Sequence, residues 1–352
     1  MVYNIQMSSK KSKLALLVFG VLLGFFLFTS LSRSKPGKNM TSILSSPTPM
    51  SFPLQELTIP YLRTRTYKGE LNEFKELSSS GSYTSYLTSY VSDGLKINAL
   101  LTRPTGDLPT GGWPAIVFVH GYIAPTTYQT DGVQYADYVD YLASHGFVVF
   151  KIDLRGHGDS EGQPGGGYFG ADYIADTLNA SDALGKSGFV NPDKIGLWGH
   201  SMAGNVLMRS FAIRPDIPAV VIWAGAVYSY ADMQKYGIQD NSYRPPVSTT
   251  PGQSRRQRIT ELYGQYDDTI PFWQQMAPTN FVNDLKGALE IHHAVDDVVV
   301  NIGYSRDLMT AMKSVSAPHE LFEYPTGGHN LSGASFDLAM QRTVAFFKKY
   351  LN

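Results

Sequence analysis

The sequence predicts an α/β domain in which helices cover a mostly parallel sheet. Short, mostly apolar runs recur at residues 115–119, 147–152 and 219–223, with Lys151 as the one charged residue, and such runs are typical of strands that are covered on both faces. Segments with helical patterning lie between them. Strands that alternate with helices favour parallel pairing, because each helix returns the chain to the edge at which the previous strand began.

The composition limits the classes of function. The chain has 352 residues, of which 43% are apolar, so it can bury a large core. Its formal net charge of -1 gives no general attraction to nucleic acid, and we expect no nucleic-acid partner. It contains no cysteine, which excludes disulfides, a thiolate nucleophile and a cysteine-ligated metal, and which suits an oxidising compartment.

The N-terminal residues 1–33 contain an uncharged and mostly apolar run from 14 to 31, with basic residues on both sides. As a helix with about 1.5 Å per residue, this run reaches roughly 27 Å, near the lower limit for crossing a bilayer. We expect a signal anchor whose single transmembrane helix holds an extracytoplasmic domain to the membrane. The alternative is a cleaved signal peptide with its site at residues 30–32, which would make the protein secreted.

Residues 34–60 are rich in serine, threonine and proline and have few side chains that could form a core. This composition indicates a linker between the membrane segment and a folded domain at 61–352. An extended arm that packs on the domain is the alternative interpretation.

Within 61–352, the predicted strands and helices follow one another in a regular order. A hairpin is expected from strands at 83–90 and 95–103, because Asp93-Gly94 suits a two-residue turn. The further elements are a strand at 115–119, a helix at 132–145, a strand at 147–152, a helix at 172–186, a strand from 195 followed by a helix, strands at 219–223 and 288–292, and a C-terminal amphipathic helix.

From about residue 228 to 286 the alternation stops, and the segment is rich in tyrosine, glutamine, proline and arginine. An insertion of this length at the carboxyl end of a sheet is typical of a lid or cap that shapes a substrate pocket. Its arginines Arg255, Arg256 and Arg258 are expected on a solvated helix face. Recognition of an anionic substrate group is the alternative.

Residues 199–204, Gly-His-Ser-Met-Ala-Gly, have the outline of a nucleophile elbow. In such a turn a strand enters a helix so sharply that the serine takes a strained backbone conformation with its hydroxyl exposed. Small neighbours are needed, since bulk would collide across the turn. Ala203 stands where the usual pattern has glycine, a departure that Gly204 can offset. Ser201 is therefore the candidate nucleophile.

A serine hydroxyl is a poor nucleophile near neutral pH, so Ser201 needs a base and an acid that orients the base. In chains with a serine elbow, the order is serine, acid, histidine. His329 lies in a glycine-rich loop before the terminal helix and is the candidate base. His319 follows a proline in an expected surface loop. His292 and His293 end a strand, and a shared metal site is not expected because adjacent strand residues point to opposite faces.

Two neighbouring aspartates, Asp296 and Asp297, follow the strand at 288–292 and compete for the role of the acid. Carboxylates just after a parallel strand lie at the edge of the sheet where catalytic groups collect. We expect Asp296 to be the acid, because it lies four residues past the last strand residue and three before a hydrophobic residue. Asp297 is expected to be a turn or helix-capping residue.

An acyl-transfer site also needs preorganised donors for an oxyanion. The backbone N–H of Met202, next to the nucleophile at the helix start, is one candidate, and that of Tyr122, after the strand at 115–119, is the second. His120 is expected to be a structural hydrogen-bonding residue beside this loop. Residues 153–160 are expected to form a rigid turn that braces the site rather than a phosphate or metal loop.

These segments together resemble an α/β-hydrolase of the prolyl oligopeptidase type over residues 61–351. The matching motifs are His-Gly-Tyr at 120–122, Asp-Leu-Arg-Gly-His-Gly-Asp-Ser at 153–160, the elbow at 199–204, the acid region at Asp296 and Gly-Gly-His at 327–329. The resemblance implies a serine hydrolase that forms an acyl-enzyme, with Ser201 as nucleophile, His329 as base and Asp296 as acid. It implies a small-molecule or short-peptide substrate, and no metal or organic cofactor.

One feature of that family has no counterpart here. Members that cleave oligopeptides commonly carry a β-propeller before the hydrolase domain, and the residues between the apolar run and the first domain strands leave no room for one. Three hypotheses follow: a peptidase of the prolyl oligopeptidase type, a carboxylesterase that acts only on small acyl esters, and a non-catalytic binding protein that retains the fold.

Overall fold

The structure is a computed structural model that describes residues 51–238 and 251–351. The predicted membrane segment at 1–33 lies outside these residues, as does most of the predicted linker at 34–60. Within the described ranges, no helix combines the length and the apolar character needed to cross a bilayer.

The described residues form a sheet of nine strands. In chain order they are β1 Lys75–Ser79, β2 Tyr83–Ser92, β3 Leu95–Pro104, β4 Trp113–Val119, β5 Val148–Ile152, β6 Val190–His200, β7 Ala219–Trp223, β8 Ala288–Ala294 and β9 His319–Tyr324. Their order across the sheet is β1-β2-β3-β5-β4-β6-β7-β8-β9. Three pairs are antiparallel: β1 with β2, β2 with β3, and β3 with β5. The other five pairs are parallel, so the predicted mostly parallel sheet is confirmed.

The α-helices of the described residues are α1 Ile59–Thr64, α2 Ala136–Ser144, α3 Asp172–Gly185, α4 Ala203–Ile213, α5 Tyr230–Tyr236, α6 Pro251–Tyr263, α7 Pro271–Met276, α8 Gly303–Met312 and α9 Ala334–Leu351. Residues Gln55–Leu57 and Pro278–Asp284 form 3₁₀ helices. The sequence patterns do not predict β1, α8 or β9. His319 begins β9, so the surface loop predicted there is wrong; this edge strand is only partly buried and lacks a clear alternation.

The hairpin of β2 and β3 forms with the predicted turn. Ser92 pairs with Leu95, which leaves Asp93 and Gly94 as the two connecting residues. Both have positive φ angles, 53° and 81°, as a turn between twisted strands requires.

The sheet separates two hydrophobic cores. Along β4, Ala115, Val117 and Val119 belong to the core that also holds the buried residues of α3 and α4. Ile116 and Phe118 belong to the opposite core with α2 and α9. Strands that are buried on both faces need no polar alternation, which explains the unbroken apolar runs in the sequence.

Residues 51–60 pack on the domain, so the predicted linker boundary at residue 60 is wrong. Leu57 and Ile59 are buried in the core with Leu62 of α1. Arg63 then donates from Nε and a terminal nitrogen to the carbonyl of Ala212, at 2.9 and 2.6 Å. Residues 51–60 therefore form the packed arm that was the alternative interpretation of this stretch.

The insertion at 228–286 contributes α5, α6, α7 and the 3₁₀ helix Pro278–Asp284, while residues 239–250 lie outside the described part. It packs toward α1, α4 and α8. Arg255 pairs with Asp172 at the start of α3 at 2.8 Å, and the guanidinium of Arg256 lies 5.1 Å from the ring of Phe169. Arg258 lies 3.7 Å from Glu261. Arg256 and Arg258 are both exposed, as expected for a solvated helix face, whereas Arg255 is partly buried.

Candidate active site

Ser201 lies between the last residue of β6 and the first turn of α4, in a conformation that non-glycine residues rarely adopt. Its φ angle is +57°. Its N–H donates to the carbonyl of Trp223 at 2.9 Å, and its own carbonyl accepts from Gly204 and Ala226. A Cβ atom on Gly204 would lie 2.7 Å from the Cα of Gly225, so the turn excludes a side chain there. The backbone geometry is that of the predicted elbow, and the surrounding hydrogen bonds keep Ser201 in this strained conformation.

His329 reaches Ser201 from a loop distant in sequence. The loop between β9 and α9 contains Gly327 and Gly328, both with positive φ, which lets the chain fold back over the carboxyl end of the sheet. The Nε2 atom of His329 lies 2.9 Å from the Ser201 hydroxyl oxygen. The predicted nucleophile and base are therefore in hydrogen-bond contact.

The structure contradicts the expectation for the acid. The Nδ1 atom of His329 lies 2.8 Å from Oδ2 of Asp297, not from Asp296. Asp296 is exposed and accepts from the N–H groups of Gly327 and Gly328, at 3.3 and 2.8 Å. It therefore holds the histidine loop through its backbone and does not touch the imidazole.

The error has a local physical reason. β8 continues to Ala294, two residues beyond the predicted end of the strand. A turn follows in which the N–H of Asp297 donates to the Ala294 carbonyl, and this turn brings the side chain of Asp297 back over the strand end. Asp297 also fulfils the turn role predicted for it, because its Oδ1 accepts from the N–H groups of Val299 and Val300. One carboxylate thus serves both the turn and the imidazole.

The surroundings of Asp297 keep it ionised. Burial raises the pKa of this carboxyl, but the hydrogen bonds from His293 and His329 lower it more, and the pKa lies well below its usual range. His293 Nε2 lies 3.2 Å from Asp297 Oδ2, a second contact that the sequence reasoning missed. An ionised carboxylate only accepts, so Nδ1 of His329 carries a proton and Nε2 is free to accept from Ser201.

A cavity of about 750 Å³ opens beside Ser201 and His329. Its lining comes from residues 122–123 after β4, residues 133–138 at the start of α2, Val299, and residues between 329 and 337. None of the described residues of the insertion lines this cavity. For that part of the insertion, the expectation that it shapes the pocket is wrong, because it packs elsewhere on the domain.

Both predicted oxyanion donors belong to segments next to the nucleophile. Met202 directly follows Ser201 and precedes the first turn of α4, where backbone N–H groups have no partner within a helix. Tyr122 follows β4 and lines the cavity with Ser201.

The residues around the site that were expected to be structural have structural contacts. His120 is fully buried, lies with Nδ1 2.6 Å from the Gly121 carbonyl and stacks on Tyr128. Burial lowers the pKa of His120 well below its usual range, which disfavours a second base there. In the turn at 153–160, Ser160 donates to Asp153 at 3.0 Å.

No group of three or more metal-ligating side chains occurs among the residues that the structure describes. The adjacent histidines of β8 point to opposite sides of the sheet. His292 contacts Tyr324 at 2.8 Å, whereas His293 contacts Ser305 of α8 at 2.7 Å.

Comparison with known proteins agrees with the fold. The family model described as Hydrolase_4, serine aminopeptidase S33, matches residues 114–243, which include Ser201. The uncharacterized peptidase YuxL of Bacillus subtilis (strain 168) is 24% identical over 246 residues, which are 68% of this chain and 34% of that protein. The chain thus spans about a third of the length of that relative.

Solved structures share the fold over most of this chain. The acetyl xylan esterase from Paenibacillus sp. R4 has a TM-score of 0.59 and 16% identity, and the match covers 83% of this chain and 92% of that one. Dipeptidyl peptidase 4 of Porphyromonas gingivalis has a TM-score of 0.54 and 21% identity, covering 77% of this chain and 36% of that one. These structures show that the chain shares their fold, and the segment matched by the family model contains Ser201.

Proposed function

We propose that the protein is a serine hydrolase of the prolyl oligopeptidase type that cleaves peptide, amide or ester bonds through an acyl-enzyme. Ser201 is the nucleophile, His329 the base and Asp297 the acid. The observation that carries the proposal is the continuous hydrogen-bonded line from Ser201 through His329 to Asp297, with contacts of 2.9 and 2.8 Å. Residues from three distant loops meet in the order and at the distances that nucleophilic catalysis by serine needs.

In the acylation step, the Ser201 proton passes to Nε2 of His329 as Oγ forms a bond to the substrate carbonyl carbon. The electron pair of the carbonyl moves to its oxygen, where the N–H groups of Tyr122 and Met202 are proposed to stabilise the negative charge. The tetrahedral intermediate then expels the amine or alcohol, which takes the proton from His329. The acyl group remains on Ser201.

Deacylation repeats these steps with water. A water molecule gives a proton to His329 and attacks the acyl carbon, and the bond to Ser201 breaks as the serine regains a proton. Asp297 stays ionised throughout and stabilises the imidazolium that forms twice in each cycle. Its lowered pKa is the electrostatic property that this role requires.

A carboxylesterase that acts only on small acyl esters is the second candidate. The match to the acetyl xylan esterase covers nearly all of that chain, whereas the match to the dipeptidyl peptidase covers about a third of it. Amines are also poorer leaving groups than alcohols, so an ester is the less demanding substrate.

The test compares ester and amide substrates with the same acyl group and the same aromatic reporter. A peptidase should turn over both the ester and the amide, whereas a carboxylesterase should turn over the ester alone. Ser201→Ala gives the background rate. Labelling of Ser201 by a fluorophosphonate tests catalysis without knowledge of the substrate. If the folded protein neither turns over any of these substrates nor becomes labelled, it is the non-catalytic binding protein.

We further propose that residues 1–33 anchor the hydrolase to a membrane with the catalytic domain outside the cytoplasm. The proposal is supported by the apolar run at 14–31 and its basic flanks. Protease treatment of intact cells should then digest the hydrolase domain, and carbonate washing should leave it in the membrane fraction. A domain that is fully protected in intact cells contradicts the orientation, and a domain released into the medium indicates cleavage of the segment.

A further inference from the structure

Tyr135 lies between the loop that carries Tyr122 and the histidine that precedes the nucleophile. Its hydroxyl accepts a hydrogen bond from the N–H of Gly121 at 2.9 Å. The same hydroxyl lies 2.8 Å from Nδ1 of His200. On the other side of that ring, Nε2 of His200 lies 2.9 Å from the backbone carbonyl of His329. Three contacts therefore connect the loop after β4 to the backbone of the proposed base.

The groups at the two ends, the N–H of Gly121 and the carbonyl of His329, determine which atom donates in each of these hydrogen bonds. The carbonyl of His329 can only accept, so Nε2 of His200 must carry a proton. A neutral imidazole then has an unprotonated Nδ1, which accepts from the Tyr135 hydroxyl. That hydroxyl has used its single proton, and one of its lone pairs accepts the N–H of Gly121. Each donor has one acceptor.

The His200 ring is held in this neutral form. It is 3% exposed, and its centroid lies 4.5 Å from that of the His329 ring. Burial, followed by the charge of His329, lowers the pKa of His200 to about 3. His200 therefore stays neutral when His329 becomes charged during the reaction, and the direction of the hydrogen bonds does not change within a catalytic cycle.

The backbone is strained to place the tyrosine here. Tyr135 has a φ angle of +64° at the start of α2, a conformation that is unfavourable for a residue with a bulky side chain. Its ring lies edge-on to Phe118, with 5.5 Å between centroids. A Cβ atom on Gly121 would lie 2.7 Å from the Tyr135 hydroxyl oxygen, so the contact also requires a glycine in the loop. Strain kept by such close packing is typical of residues near a functional site.

We propose that Tyr135 and His200 are positioning residues that fix the distance between the oxyanion loop at residues 121–122 and the backbone of His329. The proposal rests on the proposed function, because it assigns to these residues the alignment of the oxyanion donor with the base. The alignment matters because a displacement of about 1 Å between reacting groups can reduce a rate by about 100-fold. Neither residue exchanges a proton with the substrate.

The experiment measures kcat and KM on the ester substrate for Tyr135→Phe, His200→Leu and the double variant. Tyr135→Phe keeps the ring and removes only the hydroxyl. We expect it to lower kcat by about 10- to 100-fold and to change KM by less than about threefold, because the alignment and not the binding is lost. The double variant should be no more than about threefold worse than the poorer single variant, since either change alone breaks the chain of contacts.

The matched control is Tyr141→Phe, which removes a hydroxyl from α2, the helix that Tyr135 precedes, away from the cavity lining. It should keep the wild-type kcat. A Tyr135→Phe enzyme with kcat within about twofold of wild type would overturn the proposal. Losses that multiply in the double variant would overturn it as well, because they would show two independent effects.

A readout without turnover separates this inference from the proposed function. In Ser201→Ala protein with ¹⁵N-labelled histidine, imidazole nitrogen NMR at neutral pH should show His200 with Nδ1 unprotonated and Nε2 protonated, with His200→Leu used for assignment. Tyr135→Phe should shift the Nδ1 signal of His200. A protonated Nδ1 contradicts the chain of contacts even in an active enzyme. A wild-type protein that is inert to esters, amides and fluorophosphonate contradicts the proposed function even if the NMR signals are as expected.

Discussion

The cavity beside Ser201 and the insertion at 228–286 use different means to hold their residues in place. The cavity side depends on directed polar contacts between distant loops, such as the contact of His329 with Asp297. The insertion side depends on burial of aromatic rings and on Arg209 of α4, which is fully buried. Arg209 contacts the sulfur of Met276 in the insertion at 3.8 Å and donates to the carbonyls of Leu57 and Gly170 beside it. The difference indicates that substitutions on the two sides affect separate properties, catalysis on one and stability on the other.

Ser201→Ala gives the largest expected effect on the cavity side. Removing the nucleophile should lower kcat by about three to six orders of magnitude, the range typical of triad members. The free energy of unfolding should stay the same or rise slightly, because alanine removes a hydroxyl but keeps the small size that the elbow needs. Steady-state kinetics and urea unfolding on one preparation measure both. A residual rate within about tenfold of wild type would show that Ser201 is not the nucleophile.

The two neighbouring aspartates sharpen the comparison, since they lie on one turn and have different contacts. Asp297→Asn should lower kcat by about four orders of magnitude, because an amide no longer requires the proton of His329 to be on Nδ1. Asp296→Asn keeps an oxygen that can accept from Gly328 and should cost less than about tenfold. If Asp296→Asn were the more damaging change, the assignment of the acid would return to Asp296. Circular dichroism of both variants checks that each remains folded.

These aspartates show how far the sequence predicts the site. Ser201 and His329 have strong local signals, a small-residue elbow and a glycine-rich loop, and both signals reflect backbone conformations that the residues themselves require. Asp296 and Asp297 have the same side chain in the same turn, so only the exact end of β8 decides between them. Strand ends depend on tertiary packing more than on local propensity, which is why sequence spacing alone selected the wrong carboxylate.

The contacts of Tyr135 illustrate a second limit. Tyr135 and His200 are 65 residues apart, and neither residue type is unusual at the start of a helix or the end of a strand. The positive φ of Tyr135 has no sequence signal, because it is imposed by the packing around the ring. The mostly parallel pairing of the sheet was predictable from the alternation of strands and helices, whereas the weakly patterned edge strands β1 and β9 were not.

On the insertion side, Arg209→Met should reduce stability and leave the chemistry almost unchanged. The substitution keeps an apolar side chain of similar length but leaves the carbonyls of Leu57 and Gly170 without these donors. Losing those contacts should cost about 2–4 kcal/mol, or a Tm lower by roughly 5–10 °C. Differential scanning calorimetry and kcat at 20 °C on the same sample separate the two properties. A kcat that falls by more than about tenfold would show that the two sides are coupled.

The smallest expected effect is a loss of folding stability at acidic pH, which residues on the cavity side should cause. The folded state keeps His200 neutral, with its pKa lowered from 6.5 to about 3 by burial and by the charge of His329. The unfolded chain therefore binds more protons below pH 6.5, so the free energy of unfolding should fall as the pH decreases from about 6.5 toward 3. Asp297 acts in the same direction, because its lowered pKa gives stability above its ordinary value of 3.8 that is lost as the pH falls.

Replacing His200 by leucine removes one of the groups that titrate in this window. Urea unfolding between pH 7 and pH 4 should therefore show a shallower fall for His200→Leu than for the wild type. Part of the slope should remain, because burial also lowers the pKa of His120 and of His157. Arg209→Met should run parallel to the wild type at a lower stability, since an arginine does not titrate in this range. Parallel curves for His200→Leu and the wild type would mean that the pKa of His200 is the same in the folded and the unfolded chain. That result would remove the basis for a fixed neutral imidazole between Tyr135 and the backbone of His329.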